Sequence, residues 1–185
     1  SYLYKLDLIN KNPQILIANI PNILTISRLF LTFPLIFFLE VNKLNFVFLL
    51  IIIGGLTDYF DGFFARKLSI KTRFGAILDP LTDKIFLLIP LLWICKNDLI
   101  PFWSLAIILF REIIISVLRK STKDGLPASH LGKYKTFFFF ISLLLFFLPS
   151  KISLITNLGI IFYWLGFILT IITFIDYLRV KKSII

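Results

Sequence analysis

Four of the ten acidic residues in this 185-residue chain, Asp58, Asp61, Asp79 and Asp83, fall within 26 positions. Asp58 and Asp61 stand three apart and Asp79 and Asp83 four apart, spacings that put each pair on one face of a helix. A single loop between two such helices lets the pairs converge. Four carboxylates beside an apolar region repel one another, and ionised acids without a counter-charge are costly there, so a positive charge must sit among them. Hard divalent cations prefer carboxylate oxygens, and Mg²⁺ in particular is often shared between protein carboxylates and a substrate's phosphates. Two ions about 3.5–4 Å apart would suit phosphoryl transfer. Any one of these aspartates alone reads as a solvated helix end; the paired spacing is what favours a metal site. Gly62, Ala65 and Gly75 lie between the pairs, where small residues let a ligand approach the backbone or let helices pack tightly. Gly54 and Gly55, with no polar neighbour at hand, read as packing positions.

The elements that carry these acids are apolar. Hydrophobic residues make up 58% of the chain and charged residues 16%, with 22 Phe and a mean hydropathy of +0.94, which excludes an ordinary soluble domain. Six segments approach the length of a membrane-crossing helix: 23–40, 44–64, 83–96, 101–119, 134–149 and 157–178. The segment 83–96 is short unless it extends back through the polar residues before it. The expected fold is therefore all-α, a polytopic membrane protein built as a bundle of six transmembrane helices over residues 21–182. Residues 1–20, mixed in polarity, form a juxtamembrane segment that reads either as a short interfacial helix or as a disordered tail. They lack the small-residue cleavage site of a signal peptide, so the mature chain is expected to start near here. No internal repeat is evident.

The formal charge is +10, but most basic residues border apolar runs, which favours anionic lipid over nucleic acid as the partner. Lys43, Lys96 and Lys151 are the only basic residues between spans 1 and 2, 3 and 4, and 5 and 6, while nearly all the others fall on the opposite side. Basic residues are retained on the cytoplasmic face, so both termini and the aspartates are expected there, in the cell (inner) membrane. The single cysteine, Cys95, excludes an internal disulfide framework and reads as an apolar filler, and no Cys/His cluster exists to hold zinc.

The run Asp58-x₂-Asp61-Gly62-x₂-Ala65-Arg66-x₈-Gly75-x₃-Asp79-x₃-Asp83 resembles, at every position, the signature of the CDP-alcohol phosphotransferases. The resemblance implies a six-helix membrane enzyme, usually a homodimer, that moves a phosphatidyl or phosphoalcohol group from a CDP-linked donor to an acceptor hydroxyl and releases CMP. It implies Asp58, Asp61, Asp79 and Asp83 as ligands of Mg²⁺ or Mn²⁺, with two ions expected and Asp83 also the general base. Asp58, Gly62, Ala65, Arg66 and Gly75 would line the nucleotide and donor pocket, although Arg66 also reads as a lipid-headgroup contact. The charges fit such chemistry: cations bridging the diphosphate oxygens would neutralise the leaving group and hold the β-phosphorus in line for attack, and a carboxylate in reach can take the acceptor's proton.

Basic residues inside or beside the spans bear on the acceptor. Arg28 lies in the first span, Arg111 in the fourth beside Glu112, Arg119 two helical turns beyond it, and Lys133 and Lys135 at the start of the fifth. Arginine favours bidentate phosphate contacts, so these residues are candidates for an acceptor-phosphate pocket. Membrane-surface anchoring is the rival for Arg119, Lys133 and Lys135, and pairing with Glu112 is the rival for Arg111. The segments Asn19-Ile20-Pro21-Asn22-Ile23-Leu24-Thr25 with Arg28, Arg111-Glu112-Ile113-Ile114-Ile115-Ser116 with Arg119, and Gly132-Lys133-Tyr134-Lys135-Thr136 are similar to the bacterial branch that forms phosphatidylglycerol phosphate. That branch implies CDP-diacylglycerol as donor and sn-glycerol 3-phosphate as acceptor. Synthases of phosphatidylinositol phosphate or cardiolipin are the alternatives within the family. An ion-coupled transporter is the alternative outside it, but a transporter would spread its acids through the bilayer depth, whereas all four lie at one interface.

Overall fold

The structure is a computed structural model. It describes the backbone of residues 13–68, 73–121, 130–150 and 152–182, and the side chains of residues 26–60, 82, 84–116, 132–150 and 152–179. The regular elements among the described residues are six helices: α1 (Pro13–Glu40), α2 (Leu44–Leu68), α3 (Arg73–Lys96), α4 (Phe102–Ser121), α5 (His130–Phe147) and α6 (Ser153–Lys182). Each expected apolar segment falls largely within one of them. The main difference is α3, which starts at Arg73, so the polar stretch carrying Gly75 and Asp79 continues the third apolar segment as helix. α1 starts at Pro13, inside the segment read as juxtamembrane. Proline suits a first helical position, where its missing N–H would have no partner anyway. His130 opens α5. Among the described residues one helix, over Ser153–Arg179, is long and apolar enough to cross a membrane by length and composition.

The chain divides into two compact units, Ser1–Ile89 and Pro90–Ile185. In the first, α1 packs along α2. Their connection is short because α1 ends in a left-handed cap: Asn42 has φ 54°, the Asn42 N–H donates to the Leu39 carbonyl at 3.2 Å and the Lys43 N–H to the Phe38 carbonyl at 2.9 Å. This is the Schellman pattern, which satisfies carbonyls at a helix end, and asparagine tolerates the required φ better than most residues.

The buried stripe of α1 is Arg28, Thr32, Leu35 and Leu39, and that of α2 is Val47, Ile51 and Gly54, with Asp58 continuing the series. Both follow the helical step of four, three and four residues. On antiparallel neighbours turned at 41–43, equal steps put Leu39 level with Val47, Leu35 with Ile51, Thr32 with Gly54 and Arg28 with Asp58.

Gly54 also meets α3. The ring of Phe86, a core residue, fills the space that a Cβ at position 54 would need. Gly54→Ala should therefore force the ring aside and destabilise by about 1–3 kcal/mol, which corresponds to a fall of several degrees in melting temperature. Pairing it with Phe86→Leu should recover most of the loss, and thermal unfolding of the three variants checks this.

In the second unit α5 lies along α6, and α4 also touches α6. The turn between α3 and α4 repeats the Schellman cap, with Asp98 at φ 59° and the Leu99 N–H donating to the Ile94 carbonyl at 3.2 Å. The buried stripe of α6 is Gly159, Tyr163, Gly166, Thr170, Thr173 and Tyr177. Its two glycines let α5 come close, since the Phe139 ring lies 3.1 Å from where a Gly166 Cβ would stand. Hydroxyls tie the layers: Tyr163 and Ser104 share a buried hydrogen bond of 2.7 Å, and Ser142 donates to the Gly159 carbonyl at 2.8 Å. The remaining surface of α6 exposes Ile161, Leu165, Ile168, Ile172 and Ile175, so the helix is apolar on every side.

Candidate active site

The acidic motif occupies the facing ends of α2 and α3. Asp58, Asp61, Gly62, Ala65 and Arg66 lie on the last turns of α2, while Gly75, Asp79 and Asp83 lie on the opening turns of α3. Two constraints limit how far these ends can separate. Residues 69–72 link the helices on one side, and Gly54 meets Phe86 on the other. Asp58 is one turn beyond Gly54, and Asp83 one turn before Phe86. Counting in equal steps from that contact toward the connection puts Asp58 level with Thr82 and Asp61 level with Asp79. The side chains of Asp61, Asp79 and Asp83, and of Arg66, lie outside the described residues.

Asp58 is the described member of the set. Its side chain is 58% exposed, and one oxygen, Oδ1, lies 3.4 Å from Nη1 of Arg28, whose side chain is 2% exposed. A buried guanidinium needs an anion near it, and the α1–α2 register supplies one. No group of three or more metal-ligating side chains gathers among the described residues. What is described still fits a hard divalent cation, because Asp58 presents a solvent-facing carboxylate at the mouth of two helices whose close approach a glycine permits.

The second unit holds a cluster of charges. Arg111, 8% exposed, donates from Nη1 to Glu112 Oε1 at 2.5 Å and from Nη2 to Thr173 Oγ1 at 2.9 Å. Thr173 in turn donates to the Leu169 carbonyl at 2.8 Å, which leaves its oxygen lone pairs for the arginine. Lys135 Nζ reaches the same Glu112 oxygen at 2.6 Å. Nε of Arg111 is buried and has no hydrogen-bond partner among the described residues. One carboxylate on α4 thus gathers a cation from its own helix and another from α5, with a hydroxyl of α6 bracing the first.

Of the residues expected to bind the acceptor, Arg111 and Lys135 are brought together here. Lys133 is exposed one position after Gly132, Arg28 is engaged with Asp58 in the first unit, and the Arg119 side chain lies outside the described residues. The bridging role of Glu112 and the brace from Thr173 were not legible from motifs. A faint signal exists in hindsight, since Thr173 continues the helical spacing of the buried α6 stripe.

Residues 18–172 match the family model described as CDP-alcohol phosphatidyltransferase. The chain belongs to this family. Its curated relatives include proteins named CDP-diacylglycerol–glycerol-3-phosphate 3-phosphatidyltransferase. The one from Rickettsia felis is 35% identical over 176 residues, covering 89% of this chain and 96% of the relative. That from Haemophilus influenzae is 37% identical over 178 residues, covering 89% and 94%. That from Shigella flexneri is 33% identical over 175 residues, covering 89% and 96%.

Proposed function

We propose that this chain transfers the phosphatidyl group of CDP-diacylglycerol to a hydroxyl of sn-glycerol 3-phosphate, giving phosphatidylglycerol phosphate and CMP in phospholipid synthesis. The observation that carries this reading is the unbroken aspartate motif in a chain that matches enzymes named for that activity along most of its length. The Arg111–Glu112–Lys135 cluster supports the acceptor, because a buried N–H of Arg111 faces no described acceptor atom. Such a group suits an anionic substrate.

Asp58, Asp61, Asp79 and Asp83 hold the divalent ions, Mg²⁺ or Mn²⁺, which when bound neutralise the diphosphate and stabilise charge on the departing CMP. Asp83 accepts the proton of the attacking hydroxyl. Gly62, Ala65 and Gly75 leave room for the nucleotide beside the helix backbone, and Arg66 adds a positive charge toward the donor. Arg111, Arg119, Lys133 and Lys135 orient the acceptor's phosphate.

The protein sits in the membrane as six spans. Support comes from α6, and from large apolar side chains exposed on other helices, such as Phe30, Phe33 and Phe37 on α1 and Phe102 and Phe110 on α4. The distribution of basic residues puts the aspartates and both termini on the cytoplasmic side of the inner membrane. Membrane lipids surround the bundle, and the active form is a homodimer, as in the family at large.

An acceptor screen tests the reading directly. With CDP-diacylglycerol as donor, CMP release should be fastest with sn-glycerol 3-phosphate, ahead of inositol 1-phosphate, phosphatidylglycerol and serine. Preference for serine or unphosphorylated inositol would reject the acceptor assignment. Release of CMP with none of them would reject the transferase itself.

A further inference from the structure

We propose that Arg28 is a built-in counter-ion of the acidic site: its buried guanidinium steadies the Asp58 carboxylate and, by adding a fixed positive charge, holds the affinity for divalent metal down. This rests on the reading of Asp58 as a metal ligand. Arg28 leads the largest fully buried side chains among the described residues. Its backbone is held in the α1 stripe, and its carbonyl accepts a hydrogen bond from Thr32 Oγ1 at 3.1 Å. The Asp58 side chain, by contrast, is 58% exposed, so it does not need the arginine to offset its own burial. The asymmetry means that the positive charge is the fixed member and the carboxylate the adaptable one.

With Oδ1 turned toward Arg28, Oδ2 is the oxygen left for another cation. Four neighbouring carboxylates without metal repel one another, and one fixed cation at their edge relieves part of that repulsion. The same charge opposes an incoming divalent ion. A guanidinium beside one of the ion's ligands, screened as at a wet surface, should weaken binding roughly three- to tenfold. The active site then takes up and exchanges its ions instead of retaining them. This role differs from the acceptor-phosphate contact expected of Arg28 from sequence, and the two make opposite demands on experiment.

The test is Mn²⁺ binding to the full-length protein purified in detergent, followed by the electron paramagnetic resonance signal of the free ion, alongside the KM for glycerol 3-phosphate. Arg28→Met should tighten Mn²⁺ binding by about three- to tenfold, and Arg28→Lys, which keeps the charge, should bind as the wild type does. If Arg28→Met does not fold, Arg28→Gln replaces it with the same expectation. Unchanged or weaker Mn²⁺ binding in the folded neutral variant overturns the proposal, as does a selective rise in the acceptor's KM at unchanged metal affinity. Asp61→Asn separates the two levels: if the wild type shows no Mn²⁺ binding that this variant loses, the metal-site reading itself falls.

Discussion

Asp61→Asn and Asp79→Asn are each expected to lower CMP release by roughly a thousandfold, and excess chelator should bring the wild type to background. Asparagine keeps the shape of aspartate but removes the charge that attracts a divalent ion, so the loss should fall on turnover and not on folding. Both residues lie on helical turns of α2 and α3 that the substitution leaves intact. Relieving repulsion among the acids should leave the melting temperature of these variants unchanged or slightly raised. Asp58→Asn should behave differently. It should lose activity to a similar degree and also melt lower, because it removes the carboxylate beside the buried Arg28. Turnover and melting temperature measured on the three variants check both halves. Normal turnover in Asp61→Asn, or full activity in chelator, would exclude the metal assignment.

Arg111→Ala is expected to raise the acceptor's KM tenfold or more, since a charge-assisted contact to phosphate contributes about 1.5–3 kcal/mol. The KM for CDP-diacylglycerol should change little. Arg111 bonds Glu112 directly, so a structural role must be separated from binding, and the shared carboxylate makes that practical. After Arg111→Ala, Glu112 still has Lys135 Nζ at 2.6 Å, and the stability loss should be modest. Glu112→Ala instead leaves Arg111 and Lys135 close together without the carboxylate between them. Breaking a buried pair in this way costs about 3–5 kcal/mol, so this variant should melt well below Arg111→Ala. Adding glycerol 3-phosphate should restore part of that loss, because the phosphate can replace the missing negative charge. If Arg111 served only to balance Glu112, the acceptor's KM would stay near wild type and the double Ala variant would recover stability.

Much of this arrangement was legible in the residues because it is written in short spacings. The aspartate pairs at three and four residues apart announced the helix ends that carry them, and the apolar runs announced six helices. The start of α3 was harder to see. Asp79, Thr82, Asp83 and Lys84 interrupt the apolar run and Pro80 stands among them, yet the structure carries one helix through them from Arg73. The particular side-chain partners across distant segments were harder to see. Arg111 and Glu112 are adjacent in sequence and do not face each other on an ideal helix. Only the approach of α5 and α6 draws their side chains, with Lys135 and Thr173, into one cluster. Arg28 was grouped with the other basic residues by charge type. Its partner is set by the register of α1 on α2, which periodicity alone could not pair with the acidic motif.

The tight cap at Asn42 bears on how the protein is made. Arg28 leaves the ribosome well before Asp58, and in the six-span arrangement proposed above the first helix carries, during that interval, a charge that hydrocarbon strongly disfavours. A connection of only residues 41–43 returns the chain at once, so α1 and α2 can enter a bilayer as one hairpin with charge and counter-charge already matched. That pairing is local in sequence and needs none of the later helices. The first corner of the site can therefore be assembled while the segment bearing Asp79 and Asp83 is still being synthesised.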